Sequence, residues 1–147
     1  MSGANIVLDT CIVSYLMRGG EQAKAYLPHV QDKLMAISFI TVGELYYGSE
    51  KARWGEPKRK QLETALLRNF VVIPYDHEIA RCYGRLVAER QRQGIPIAPN
   101  DAWIAACTVR HRVPLVTHNP KDFTAIDNLN LITEHRVEGW GGRSEPD

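Results

Sequence analysis

Short apolar runs separated by helix-length segments restrict the fold of this chain more than any other sequence feature. The runs cover residues 6–8, 35–40, 71–73, 114–117 and 129–133. Apolar residues recur at helical spacing between them, Gly19-Gly20 ends the first such segment, and Asp76 begins a long one that runs to Gly94. The alternation predicts an α/β sandwich with a central, mostly parallel sheet flanked by helices. Thr41 and Asn100 are predicted to cap two of the helices.

The size and cysteine content predict one domain in a reducing compartment. A chain of 147 residues fits a single domain, predicted at residues 1–135, with 136–147 as a loose tail. The three cysteines are widely spaced without a CxxC pair, which favours reduced thiols in a cytoplasmic protein and argues against a zinc site. Neither a signal peptide nor an apolar run near the ~20 residues of a membrane span is evident, so no membrane partner is expected.

Overall charge does not indicate nucleic-acid binding, because the net charge is only +1. Basic residues cluster at 51–60 and again along the predicted helix that contains Arg81, Arg85, Arg90 and Arg92. Solvated helical faces are the favoured interpretation of both clusters. A surface that contacts phosphates is the alternative.

Four acidic residues are placed where the carboxyl ends of parallel strands would bring them together. Asp9 directly follows the first run, Glu44 lies about one helical turn after the second, Asp101 opens a helix, and Asp122 follows the strand that ends at Thr117. Sites in open parallel sheets form at this edge.

Each acid also has an ordinary structural explanation. Asp9 can cap a helix, Glu44 can be a solvated helical residue, and Asp122 can serve a turn. Asp101 favours the helix dipole, yet it shares a face with Ile104 and Thr108 that is otherwise apolar, which is a poor position for an idle carboxylate.

Together the four acids predict a metal site. Carboxylates that lie close together repel unless a cation neutralises them. Mg²⁺ and Mn²⁺ prefer oxygen ligands and can activate water for attack on a phosphodiester. The five histidines show no metal-binding spacing such as HxxxH, so an acidic site is favoured over a histidine site.

Three segments resemble PIN-domain ribonucleases, and among them the VapC-type toxins of toxin–antitoxin pairs. Residues 7–16 (VLDTCIVSYL) are similar to the family's first strand, Asp-Thr and helix. Residues 37–48 (ISFITVGELYYG) resemble the segment that supplies its glutamate. Residues 100–106 (NDAWIAA) with 115–123 (LVTHNPKDF) resemble its third acid and closing motif. The order and spacing match from residue 6 to about residue 132.

The resemblance implies a role for each matching residue. Asp9, Glu44 and Asp101 would be the core metal ligands, and all three with Asp122 would form the catalytic set. Asn119 and Asp122 are alternatives for the fourth ligand position of the site. Residues that would hold these ligands or water by hydrogen bonds are Thr10, Ser38, Thr117 and Asn119.

The resemblance also implies partners. It predicts an RNA substrate, a homodimer, and a VapB-like antitoxin whose C-terminal segment covers the active-site groove in a higher assembly. An antitoxin arginine among the acids would be chemically sensible, since a guanidinium binds carboxylates with two hydrogen bonds. Residues 12–17 and 42–47, with Trp54, are candidates for lining that groove, although plain core packing is the favoured explanation for each of them.

The implied activity is endoribonuclease cleavage by a metal-activated water, with Mg²⁺ (or Mn²⁺) as cofactor. Two other functions stay open. A phospho-acceptor or phosphatase domain also has Asp after its first strand, but here Asp9 lacks a second nearby Asp, and Lys121 is the single candidate lysine. A non-catalytic RNA-binding or partner-binding protein of the same fold is the other, although clustered carboxylates are costly to keep without a metal.

Overall fold

The computed structural model describes residues 5–135, so the predicted tail at 136–147 lies outside the described residues. The strands are β1 (Asn5–Leu8), β2 (Leu34–Ser38), β3 (Val71–Ile73), β4 (Leu115–Val116) and β5 (Leu131–Ile132). The helices are α1 (Thr10–Arg18), α2 (Glu21–Val30), α3 (Phe39–Lys51), α4 (Glu56–Asn69), α5 (His77–Arg92) and α6 (Pro99–His111), with a short 3-10 helix at Pro120–Phe123. No helix within residues 5–135 has the length and hydropathy of a membrane span.

The five strands form one parallel sheet in the order β3-β2-β1-β4-β5, which confirms the predicted α/β sandwich. Central strand β1 is fully buried from Ile6 to Leu8 because helices cover both faces of the sheet. Alternate side chains enter opposite layers: Ile6 and Leu8 join a core with α1, α2 and α4, whereas Val7 joins a core with α5 and α6.

The chain changes direction across the sheet at β1. The strands β2 and β3 lie on one side of β1, and the chain then returns through α5 and α6 to place β4 on the other side. Such a switch point leaves a crevice at the carboxyl ends of the central strands. Asp9, Ser38 and Thr117 directly follow β1, β2 and β4 at this edge. Helix α3 also contacts both α1 and α6.

Two of the predicted helix caps are wrong. Helix α3 starts earlier than predicted because the Ser38 hydroxyl accepts the Thr41 backbone N–H at 3.2 Å, so Ser38 is the cap and Ile40 is helical. Helix α6 starts at Pro99, whose fixed backbone suits the first turn, and Asn100 therefore lies inside the helix. The Asp76 cap is confirmed, since its Oδ1 accepts the Ile79 N–H at 2.8 Å.

A buried polar network that the sequence did not reveal joins α2 to the ends of β4 and β5. The Tyr26 hydroxyl lies 2.6 Å from His118 Nδ1 and accepts the Glu134 backbone N–H at 2.9 Å. The Nε2 atom of His29, also on α2, lies 2.5 Å from Glu134 Oε2. These contacts fix the chain that follows the two strands on the α2 side of the sheet.

Candidate active site

Asp9 is held in a defined orientation at the end of β1. Its Oδ1 accepts the Thr10 backbone N–H at 2.8 Å and so caps α1, while its Oδ2 accepts the Thr117 hydroxyl at 2.7 Å. The residue is only 6% exposed. The capping role and the predicted site position are therefore compatible, because each uses a different oxygen.

Glu44 is fixed from two sides. The Thr10 hydroxyl donates to its Oε1 at 2.5 Å, and the Asn100 amide donates to its Oε2 at 3.0 Å. The Thr10 Oγ1 also lies 3.0 Å from Thr41 Oγ1 on α3. Glu44 is consequently oriented by α1 and α6 and is not a freely solvated helical residue.

Asp101, in the first turn of α6, and Asp122, in the 3-10 helix, complete the acidic site. Together with Asp9 and Glu44 they line one open cavity of about 750 Å³. The other residues that line it are Thr10, Cys11, Phe39, Ile40, Gly43, Tyr47, Asn100 and Asn119. Four carboxylates that are far apart in sequence thus face one space.

The electrostatics of the cavity reflect this convergence. Burial and, after it, the charges of Asp9, Asp122 and Glu44 raise the pKa of Asp101 to about 7, whereas the charge of Arg90 acts in the opposite direction. Burial also raises the pKa of Asp9, against hydrogen bonds from Thr117 and Thr10 that lower it. Ionised carboxylates therefore raise the energy of this site, as expected where a cation is to bind.

The donor set suits a hard cation. Within residues 5–135, no three His, Cys, Asp or Glu side chains form a ready-made compact ligand group. Mg²⁺ does not require one, because it keeps several waters and typically uses one or two protein carboxylates. A soft metal is disfavoured, since burial and the Asp9 charge raise the pKa of the Cys11 thiol to about 12 and keep it protonated.

The predicted supporting residues occupy different positions around the acids. Thr10 and Thr117 donate directly to acidic side chains. The Asn119 N–H donates to Thr117 Oγ1 at 3.0 Å, and its side chain lines the cavity beside that of Asp122. Ser38 is fully buried and contributes by fixing the start of α3, the helix that carries Glu44.

Several residues at the site were missed or misplaced by the sequence analysis. Asn100 orients Glu44, Thr41 contacts Thr10, and the Cys11 thiol lies 3.6 Å from Asp9 Oδ2. Their types carry no distinctive signal, because Asn, Thr and Cys at helix starts have many ordinary uses.

Arg90 does not belong to a solvated face or a phosphate-contacting surface, contrary to both interpretations of its cluster. It is 5% exposed, and its Nη1 donates to the backbone carbonyls of Thr124 at 2.7 Å and Asp122 at 3.3 Å. Its Nε donates to the Ile95 carbonyl at 2.5 Å. Arg90 thus holds the backbone at Asp122. The sequence signal for its burial was its spacing, because Arg90 lies eleven residues after Ile79 and four after Leu86, on the buried face of α5.

The residues proposed for an antitoxin groove divide into three groups. Gly43, Glu44 and Tyr47 line the acidic cavity. Ile12 and Val13 are fully buried core residues. Leu16, Met17 and Trp54 line a second cavity of about 900 Å³ between α1, β2 and α4. Its lining also contains Met35, Leu62, Phe70, Arg18, Lys58 and Arg68, which gives an apolar floor with cationic groups.

Comparison with known proteins agrees with this geometry. The family model of the PIN domain matches residues 6–129. The chain belongs to the PIN domain family. The predicted family resemblance is therefore confirmed, and the acidic cavity lies entirely within the matched PIN region.

Relatives of this PIN domain include named ribonucleases. Ribonuclease VapC1 of Haemophilus influenzae (strain R2866) is 34% identical over 128 residues, covering 84% of this chain and 92% of that protein. The tRNA(fMet)-specific endonuclease VapC of Shigella flexneri is 30% identical over 134 residues, covering 91% and 96%. The solved structure of VapBC-1 from nontypeable H. influenzae matches with a TM-score of 0.73 and 30% identity, covering 86% of this chain and 95% of that one.

Proposed function

We propose that this PIN domain is a metal-dependent endoribonuclease and the toxin of a VapBC-type toxin–antitoxin pair. The observation that carries the proposal is the convergence of Asp9, Glu44, Asp101 and Asp122 on one open cavity, where Asp101 has a pKa of about 7. The names of the relatives support RNA cleavage as the chemistry. Three free cysteines support a cytoplasmic location.

Asp9, Asp101 and Glu44 would hold Mg²⁺ or Mn²⁺, directly or through its bound waters, and either Asp122 or Asn119 would be the fourth ligand. When bound, the cation would supply an activated water and stabilise charge on the phosphodiester, leaving 3′-hydroxyl and 5′-phosphate ends.

The chain's own hydrogen bonds preorganise the ligands. Thr117 directs one Asp9 oxygen, while Thr10 and Asn100 restrain both oxygens of Glu44. Ligands fixed in advance lose less conformational entropy when the cation binds.

The proposed partners are an RNA substrate, a second copy of the chain, and a VapB-like antitoxin. The solved VapBC-1 complex supports the antitoxin by similarity. The cavity lined by Leu16, Met17 and Trp54 supplies apolar surface on which an antitoxin segment would pack. Because one relative is named as tRNA(fMet)-specific, that tRNA is the first defined substrate to test.

The direct test is cleavage of mixed RNA and tRNA(fMet) by the purified full chain. EDTA is expected to stop cleavage, and added Mg²⁺ or Mn²⁺ to restore it. Asp9→Asn and Asp101→Asn are each expected to lower kcat/KM by at least about a hundredfold, because each removes a charged ligand. Full activity of both folded variants would refute the assignment of the site.

The same preparation addresses the two other functions. Labelling of Asp9 by acetyl phosphate would indicate a phospho-acceptor domain, whereas RNA binding without any cleavage would indicate a non-catalytic protein. We expect neither result.

A further inference from the structure

One face of α3 carries an unusual pair of exposed rings beside the acids. Phe39, Gly43 and Tyr47 lie four residues apart and therefore share a helical face. The two aromatic residues are 43% and 65% exposed, and all three residues line the cavity that contains Glu44. The rings thus stand at the acidic cavity and outside the protein core.

The space between the rings is open. A Cβ atom built on Gly43 would have no heavy atom within 4 Å apart from its chain neighbours and the backbone of its own helix. Eight residues of helix separate the Cα atoms of Phe39 and Tyr47 by about 12 Å. Stacked nucleobases lie about 3.4 Å apart, so one or two of them fit within this distance. The glycine midway between the rings leaves that space open.

The negative charge of the cavity indicates how the exposed rings of α3 would help to bind an RNA substrate. The described residues that line the cavity include four carboxylates and no Lys or Arg. Among these described residues no cationic side chain attracts phosphates, so attraction beyond that of the proposed cation must come from uncharged groups. Aromatic rings bind unpaired bases of single-stranded nucleic acid by stacking. The Lys51 ammonium lies 6.0 Å from the centre of the Tyr47 ring and adds positive charge at the outer end of the face.

We propose that Phe39 and Tyr47 form a stacking subsite for unpaired RNA bases next to the phosphate to be cleaved, and that Gly43 keeps this subsite open. The inference rests on the proposed ribonuclease function and deepens it, since it assigns a preference for single-stranded or looped RNA to two named side chains. The rings bind and position substrate, whereas the acids perform the chemistry.

The test compares variants on the same helix. Phe39→Leu and Tyr47→Leu remove a ring at the cavity, whereas Tyr46→Leu removes a ring that is 39% exposed but does not line it. Gly43→Met fills the gap, and Gly48→Met is its matched control, because Gly48 is also exposed on α3 with open space around its Cβ. Phe39→Tyr and Tyr47→Phe keep a ring at each position.

Binding is measured by fluorescence anisotropy with a labelled single-stranded RNA of about ten nucleotides, and with an abasic oligomer of the same length. We expect Phe39→Leu, Tyr47→Leu and Gly43→Met each to weaken RNA binding roughly tenfold, with KM raised and kcat nearly unchanged. The two controls and the two ring-conserving variants should bind as the wild type does. The abasic oligomer should bind weakly and equally to all proteins.

Other outcomes overturn the proposal. Equal loss in the Tyr46→Leu and Gly48→Met controls would indicate a general effect on α3. Unchanged RNA binding with altered oligomeric state or antitoxin binding would assign the face to a protein partner. If the wild type cleaves RNA and the ring variants keep its KM, the subsite fails while the ribonuclease function stands. If the wild type neither binds nor cleaves RNA, both fail.

Discussion

Replacing Asp101 with Asn is expected to stabilise the metal-free protein while removing its function. The folded state raises the pKa of this carboxyl from 3.8 to about 7, so ionised Asp101 destabilises the fold. Each pH unit between folded and unfolded pKa values corresponds to about 1.4 kcal/mol, which gives an upper limit of about 4 kcal/mol. Partial exposure screens the interaction and reduces this figure to about 2 kcal/mol.

A smaller effect opposes the gain. Asp101 lies in the first turn of α6, where a negative charge favours the helix dipole by about 0.3–1 kcal/mol. The expected net increase in the free energy of unfolding is therefore about 1 to 1.5 kcal/mol, or a rise in Tm of about 4 °C. The gain should be complete above pH 7, where the folded carboxyl is ionised, and should shrink as the pH falls from 7 toward 4.

The assay is urea or thermal unfolding of EDTA-treated protein, followed by circular dichroism between pH 4 and pH 8. Asp76→Asn is the matched control and should lower the free energy of unfolding, because the Ile79 N–H and Arg110 lower the pKa of Asp76 and favour its ionised form. Added Mg²⁺ should stabilise the wild type more than the Asp101→Asn variant, and the difference between their free energies of unfolding should become smaller. A metal-free Asp101→Asn variant that is no more stable than the wild type at pH 8 would refute the electrostatic reasoning.

Three further predictions concern side chains that support the acids. Thr117→Val should lower kcat/KM about 10- to 100-fold at saturating Mg²⁺, because Asp9 Oδ2 loses its hydrogen-bond donor. The control variant Thr108→Val loses a buried hydroxyl within α6 and should keep the wild-type kcat/KM. Arg90→Met should lower the free energy of unfolding by about 2–4 kcal/mol in urea titrations, because three carbonyls lose their donor; unchanged stability would show that Arg90 does not hold the Asp122 loop. Asn100→Ala should weaken Mn²⁺ binding severalfold in calorimetric titration, because the Glu44 carboxylate loses one of its two restraining hydrogen bonds. An unchanged Kd would remove Asn100 from the site.

The predictable part of the structure is the part in which local sequence and global fold agree. β1 is a continuous apolar run followed by an acid, and in a parallel sheet such a run has few alternatives. The placement of Asp9, Glu44 and Asp122 followed from where each stood relative to a strand end, and that of Asp101 from its position at the start of a helix. The cavity that they share is the physical consequence of the parallel arrangement.

The parts that the sequence did not predict depend either on a choice between neighbouring helix starts or on contacts between distant segments. Ser38 and Thr41 both suit a helix start, and only the hydrogen bond from Thr41 N–H to Ser38 Oγ decides between them. Asn100 is a good capping residue, yet Pro99 begins the helix before it and frees the amide to bind Glu44. Tyr26 meets Glu134 across 108 positions of sequence, and no local pattern encodes that contact.

The burial of Arg90 was not predicted for a different reason. A charged residue in a basic cluster is normally solvated, and burial becomes favourable only because several backbone carbonyls accept its N–H groups. Those carbonyls belong to chain segments that come together only in the folded protein.

Electron paramagnetic resonance of bound Mn²⁺ tests most directly whether the acidic residues of the cavity bind a divalent cation. The wild type is expected to bind Mn²⁺ in competition with Mg²⁺, and the folded double variant Asp9→Asn/Asp101→Asn is expected to lose this binding by at least about a hundredfold. Equal Mn²⁺ affinity in the two proteins, or no measurable binding in the wild type, would contradict the account.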